Sequence, residues 1–191
     1  MTVQQFTDAL THHFPQLRED LRPGVRPAGL AEAERHLGQP LPPAVRDTYL
    51  ACDGQLDVVP GVLLGLRWLP LDDVVREYAT WLDLAGEDTG LDSRPPGAVR
   101  PVTFSPGWLP FASDGGGNGL AVDLQPGPAG TAGQVITFGP DETTRLVLAS
   151  SLPAFLGWVA DQIEAGRVTV EGNDVRLNGA TSFLDAARTL V

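Results

Sequence analysis

The sequence is poor in thiols, imidazoles and positive charge, and it has no long apolar run. Its single cysteine, Cys52, has no partner for an internal disulfide, so no oxidising compartment is implied. The three histidines, His12, His13 and His36, are not spaced as metal ligands with each other or with the cysteine. Lys and Arg total 13 against 24 Asp and Glu, a formal net charge of −11. Nucleic-acid binding needs clustered basic residues, so that class is excluded. No segment approaches the roughly 18 apolar residues of a membrane span. The start, Met1-Thr2-Val3-Gln4-Gln5, has neither a basic n-region nor an apolar stretch behind it. A cytoplasmic protein without membrane contact is expected.

Catalytic signatures are equally scarce. No Gly-x-Ser-x-Gly elbow is present. No histidine lies near Cys52 in sequence, so the cysteine reads as a small buried apolar residue. The carboxylate pairs Asp72-Asp73, Glu87-Asp88 and Asp141-Glu142 read as solvated surface or as complements to a helix dipole. No enzyme, cofactor or metal centre is expected.

What is present is a globular pattern, 42% hydrophobic, with 22 glycines and 17 prolines that require many turns. Residues 3–14 form an amphipathic helix with Val3, Phe6, Leu10 and Phe14 on one face. A second helix carries Leu30, Ala33 and Leu37, and Gly38 suits its C′ position. Pro42-Pro43 opens a third helix with Val45, Tyr49 and Cys52 inward and Gly54 as its stop. Residues 62–66 suggest a strand. Residues 72–84 suggest a fourth helix with Val75, Tyr78, Ala79 and Leu82 inward, and 86–101 has the composition of a long surface loop. Runs at 120–124, 134–138 and 145–149, joined by short connections, predict antiparallel strands. Ser150 or Ser151 caps a fifth helix with Phe155, Leu156, Val159 and Ile163 inward, ended by Gly166. The tail 167–191 reads as a hairpin and a last helix capped by Thr181 or Ser182. Helices, then strands, then helices again indicate an α+β fold.

The most unusual segment is 108–124, where three consecutive glycines stand between Asp114 and Asn118. A phosphate loop is rejected, because the glycines precede a strand-like run and no Lys-Ser or Lys-Thr pair follows. An EF-hand alignment fails too, with Gly116 at position 3 and Gln125 where a bidentate Glu is needed. Three readings stay open. Asp114, Asn118 and Asp123 could form a weak cation or small-ligand site. Trp108 and Phe111 could supply apolar area to a partner-binding loop. Or the segment is a tight turn, with both aromatics in the core and Asp114 bonded to backbone N–H groups. Asp141 and Glu142, in a turn between two predicted strands, are expected to project into solvent.

Taken in order, Leu37-Gly38-x-x-Leu41-Pro42, Cys52-Asp53-Gly54, Trp108-Leu109-Pro110-Phe111-Ala112, Asp114-Gly115-Gly116-Gly117-Asn118, Asp123-Leu124, Gly133-Gln134-Val135-Ile136 and Ala149-Ser150-Ser151 to Phe155-Leu156 resemble the SUKH superfamily. That superfamily includes the yeast Smi/Knr cell-wall regulators. The resemblance covers roughly residues 25–166. It implies one α+β domain over 1–166, with an antiparallel or mixed sheet packed with helices, and a C-terminal extension over 167–191. It also implies a non-catalytic protein-binding role. Bacterial members are commonly immunity proteins that neutralise toxins, and fungal members are interaction modules. Heavy use of Gly, Ala, Pro and Arg at the expense of Lys favours a GC-rich bacterial source. The acidic balance suits a basic toxin domain as the protein partner. Trp108, Phe111, Asp114, Asn118, Asp123, Asp141 and Glu142 are the candidate contact residues.

Overall fold

Helical and extended signals alternate along the chain, and the computed structural model describes residues 3–56, 59–86 and 90–190. The Glu87-Asp88 pair lies outside them. In chain order the elements are α1 (Val3–His13), a short 3₁₀ turn (Pro15–Leu17), β1 (Leu21–Pro23), α2 (Pro27–Leu37), α3 (Pro43–Ala51), β2 (Cys52–Gln55), β3 (Arg67–Trp68), α4 (Leu71–Asp83), β4 (Asp92–Arg94), β5 (Trp108–Ser113), β6 (Gly119–Asp123), β7 (Gln134–Phe138), β8 (Thr144–Ala149), α5 (Leu152–Glu164), β9 (Val168–Glu171), β10 (Asp174–Leu177) and α6 (Phe183–Leu190). This is an α+β domain.

Six strands form one mixed sheet in the order β3-β5-β6-β7-β8-β4. The runs expected to pair antiparallel do so as β6, β7 and β8. β4 adds itself to β8 in parallel, inside a stretch whose composition reads as loop. β5, β6 and β7 are buried almost throughout, because helices cover both faces of the sheet. Trp81 of α4 meets Phe138 of β7 edge-on at 5.3 Å, and Phe155 of α5 meets Phe111 of β5 at 5.9 Å. Pro110 has no N–H for the ladder, and the register slips there, so that Phe111 is the extra residue of a bulge. The bulge frees the Phe111 carbonyl to accept the Leu69 N–H at 2.9 Å.

Helix ends follow local chemistry closely. Gly38 and Gly166 stand beyond α2 and α5 at φ +68, a conformation that costs glycine little. The Ser151 hydroxyl accepts the Ala154 N–H at 3.2 Å, and the Ser182 hydroxyl accepts the Asp185 N–H at 3.5 Å. The tail forms the expected hairpin of β9 and β10 and the helix α6. Val168, Val175, Leu177, Phe183, Leu184 and Ala187 join the same apolar core as the rest.

Three expectations are corrected. The third helix ends at Ala51, because Cys52 already pairs with Pro23 of β1; Gly54 lies within β2. Residues 62–66 form a tight turn, not a strand. Leu63 and Leu66 bond each other, and Leu64 is at φ +58. The buried Gln55 amide organises that turn, accepting from Val62 and Trp68 N–H and donating to the Pro60 carbonyl. Finally, α4 buries Leu71, Val74, Tyr78 and Trp81, while Leu82 and Ala79 are exposed. The helix is turned by about one residue, because Trp81 stacks on Phe104 at 5.7 Å.

Cys52 is buried, and burial pushes its thiol up to about 12, so it stays an unreactive core group. Val45 on α3 is 1% exposed. Val45→Asp buries an unpaired charge and should cost about 3–5 kcal/mol. Thermal denaturation should show the midpoint falling by roughly 10 °C or more. An unchanged midpoint would mean that the α3 face is not core.

Candidate functional site

The glycine-rich segment is the turn of the β5–β6 hairpin, and its polar side chains bond one another. Asp114 Oδ1 accepts the N–H groups of Gly116 at 2.7 Å and Asn118 at 3.0 Å. Asp114 Oδ2 accepts from Asn118 Nδ2 at 2.9 Å. The second Nδ2 hydrogen goes to Asp141 Oδ2 at 3.0 Å, and Asn118 Oδ1 accepts the Asp141 N–H at 3.0 Å. Asn118 thus ties the β5–β6 turn to the β7–β8 turn. Asp114 and Asp141 are solvent-exposed, whereas Asn118 is buried.

Asp123 does not join them. It lies at the far end of β6, about 13 Å along the strand at 3.3 Å per residue. Its carboxylate accepts Gln134 Nε2 and the Gln125 N–H, both at 3.0 Å. Burial nevertheless raises its pKa, outweighing the Gln134 and Gln125 donors; the Trp108 N–H adds a weaker pull without a regular hydrogen bond. Asp114, Asn118 and Asp123 therefore form no shared cation site. Among the described residues, no group of three His, Cys, Asp or Glu is placed to hold a metal ion.

The expected partner-facing aromatics are in the core. Trp108 is fully buried, with the Arg145 guanidinium 5.7 Å from its ring centre, and Phe111 is buried against Phe155. Glu142, expected in solvent, is 2% exposed. Its carboxylate pairs with Arg188 of α6 at 2.7 Å, which pins the tail to the β7–β8 turn. The turn-and-core reading of 108–124 is the one realised.

A surface that the sequence reading missed lies between α2 and α4. It is a cleft of about 440 Å³. Val25, Ala33, Leu71 and Val75 supply its apolar walls, and Glu32, His36, Asp72 and Arg76 its polar margin. Asp53 anchors it from below. Asp53 Oδ1 accepts the Leu71 N–H at 2.8 Å, serving as a cap that Pro70 cannot provide. Its Oδ2 pairs with Arg22 at 3.0 Å, and Arg22 also reaches Asp72 at 3.6 Å. Burial raises the Asp53 pKa; the Leu71 N–H and Arg22 oppose it. A second cleft of about 460 Å³ separates α4 from the glycine-rich turn and shares Arg76 with the first. The available signals were the Cys52-Asp53-Gly54 and Asp72-Asp73 motifs, but nothing in them places α2 beside α4.

With this fold and these motifs in place, the comparison with known families is decisive: the SMI1/KNR4 family (SUKH-1) model matches residues 24–158. The chain belongs to the SMI1/KNR4 family. Among curated relatives, KNR4/SMI1 homolog 2 of Debaryomyces hansenii is 33% identical, covering 94% of this chain and 37% of that protein. The cell wall biosynthesis/cell cycle regulator smi1 of Schizosaccharomyces pombe is 38% identical over 79% of this chain and 33% of its own length. The glucan synthesis regulatory protein of Neurospora crassa is 30% identical over 86% of this chain and 38% of its own. The chain thus spans about a third of the length of the SMI1/KNR4 relatives it matches.

Two outcomes follow for the polar residues of this SMI1/KNR4 domain. Asn118→Ala removes three part-buried side-chain hydrogen bonds and should cost about 2 kcal/mol, or roughly 4–8 °C of thermal midpoint. A shift within error in calorimetry would remove Asn118 from its bridging role. For Asp123, a folded pKa above the ordinary 3.8 means that the folded state holds a proton that the unfolded state has released. Its contribution to stability is complete below 3.8 and is lost as pH rises through the folded pKa. Wild type should therefore gain thermal stability relative to Asp123→Asn as pH is lowered towards 3.8. A pH-independent difference between the two melts would contradict this.

Proposed function

We propose that this chain is a non-catalytic protein-binding domain with a regulatory role. The observation that carries the reading is its membership of the SMI1/KNR4 family, in which the cited relatives from Schizosaccharomyces pombe and Neurospora crassa are named regulators. The disposition of its polar groups supports it. Asp53, Gln55, Asn118, Asp123, Gln134 and Glu142 are buried and bonded to backbone groups or to other side chains of the fold. Such groups hold the structure and have little freedom to exchange protons with a substrate.

The partner is a protein with a basic surface, attracted by the net charge of −11. The domain works in the cytoplasm; its one cysteine is buried and free, and no described helix is long and apolar enough to cross a membrane. A toxin is the second reading of that partner, and it rests on the same charge complementarity. Whether the partner is a toxin or an endogenous regulatory target is decided by identifying what the chain binds.

The test is affinity capture with the full chain as bait, followed by surface plasmon resonance with the purified partner. Association should slow as salt rises from about 50 to 500 mM, since the Debye length falls from roughly 14 to 4 Å. Asp47→Asn with Asp83→Asn, two exposed acids, should slow association further and leave dissociation nearly unchanged. Salt-independent association overturns the electrostatic component. Failure of the full chain to bind any protein overturns the binding role.

A further inference from the structure

Helix α2 has a glycine at position 29 that neither its backbone nor its packing requires. Gly29 is not among the residues with positive φ. A Cβ built there has one heavy-atom neighbour within 4 Å, the Val25 Cβ at 3.8 Å, an ordinary contact. Glycine in a helix is less stable than alanine, so the folded chain alone gives no reason for it. Gly29 lines the α2–α4 cleft, and a bare hydrogen there lets another chain approach the helix backbone.

The charges around the cleft are unevenly satisfied. Arg22 is engaged by Asp53 and Asp72, and Arg76, at the cleft margin, is already paired with Asp73. His36 bonds through Nδ1 to the Glu32 carbonyl at 3.0 Å. The exposed Glu32 carboxylate has no ion-pair partner among the described residues, and Asp72 is reached only at 3.6 Å. The unmet demand at the cleft mouth is therefore for positive charge, above walls of Val25, Ala33 and Val75. An aliphatic stem ending in a cation answers both requirements.

We propose, on the basis of the protein-binding role inferred above, that the α2–α4 cleft receives an arginine or lysine side chain from an exposed basic segment of a protein partner. The stem lies along the aliphatic walls, the cationic head meets Glu32 and Asp72, and the partner backbone passes over Gly29. The surface is thus a receptor for basic peptide and not for an anion.

A labelled Leu/Arg peptide and a Leu/Glu peptide of equal length, titrated into the full chain by fluorescence anisotropy, test this directly. The Leu/Arg peptide should bind saturably and the Leu/Glu peptide should not. Gly29→Leu, which fills the wall, should weaken binding by about tenfold or more while the thermal midpoint holds or rises. Glu32→Gln should weaken it by about threefold. If Gly29→Leu does not fold, Gly29→Ala, whose Cβ has room, carries the same comparison. No saturable Leu/Arg binding, equal binding of the Leu/Glu peptide, or unchanged affinity in the folded Gly29 and Glu32 variants overturns the proposal. A captured native partner that binds both variants as tightly as wild type overturns the cleft but leaves the protein-binding role standing.

Discussion

The central strands β5, β6 and β7 have almost no solvent-facing side chains. With α4 against one face and α5 against the other, polar groups on those strands can find partners only inside the protein, and the Trp108 indole N–H is left without a regular one. Gln134 shows how tightly this binds the design: its amide reaches the Ala98 carbonyl, the Asp123 carboxylate and the Thr131 N–H. The Thr137 hydroxyl accepts the Leu146 N–H on the neighbouring strand. Arg145, 1% exposed, donates to the carbonyls of Gly139, Glu142 and Thr103. Side chains with chemical potential are thereby converted into structural fasteners.

The same constraint leaves the helices as the place where open, unsatisfied surface can remain. A sheet covered on both faces has only its turns and edges to offer, and the β5–β6 turn bonds largely to itself and to the β7–β8 turn. The cleft between α2 and α4 is different. It exists because α4 is held from two directions, by aromatic packing of Trp81 on Phe104 and Phe138 and by Asp53 at its N-terminus. That grip leaves Val75 half-buried and turned towards α2, with charged residues around the opening. A surface with apolar walls and a polar rim is the usual anatomy of a protein contact.

The tail is integrated by the same means as the rest. The Arg188–Glu142 pair joins α6 to the β7–β8 turn, and Phe183 lies 6.1 Å from Phe155 within the core. One partner of that ion pair is buried and the other half-exposed, so its contribution is to placement more than to stability.

Local chemistry was legible in the sequence by itself. The ends of α2 and α5, the Ser151 cap, the β9–β10 hairpin and the antiparallel order of β6, β7 and β8 all follow from interactions within a few residues or from short connections. The family and the α+β class were legible for the same reason, as an ordered series of such signals. Exposure was not. Trp108, Phe111 and Glu142 look like surface candidates from their neighbours, yet Arg145, Phe155 and Arg188 cover them from 37 to 46 positions away in sequence. The α4 face, the parallel strand β4 and the cleft beside Gly29 likewise depend on which distant elements meet. Periodicity specifies that a helix has an apolar side, but only the packed aromatics of the sheet decide which residue turns inward and which is left to line a cleft.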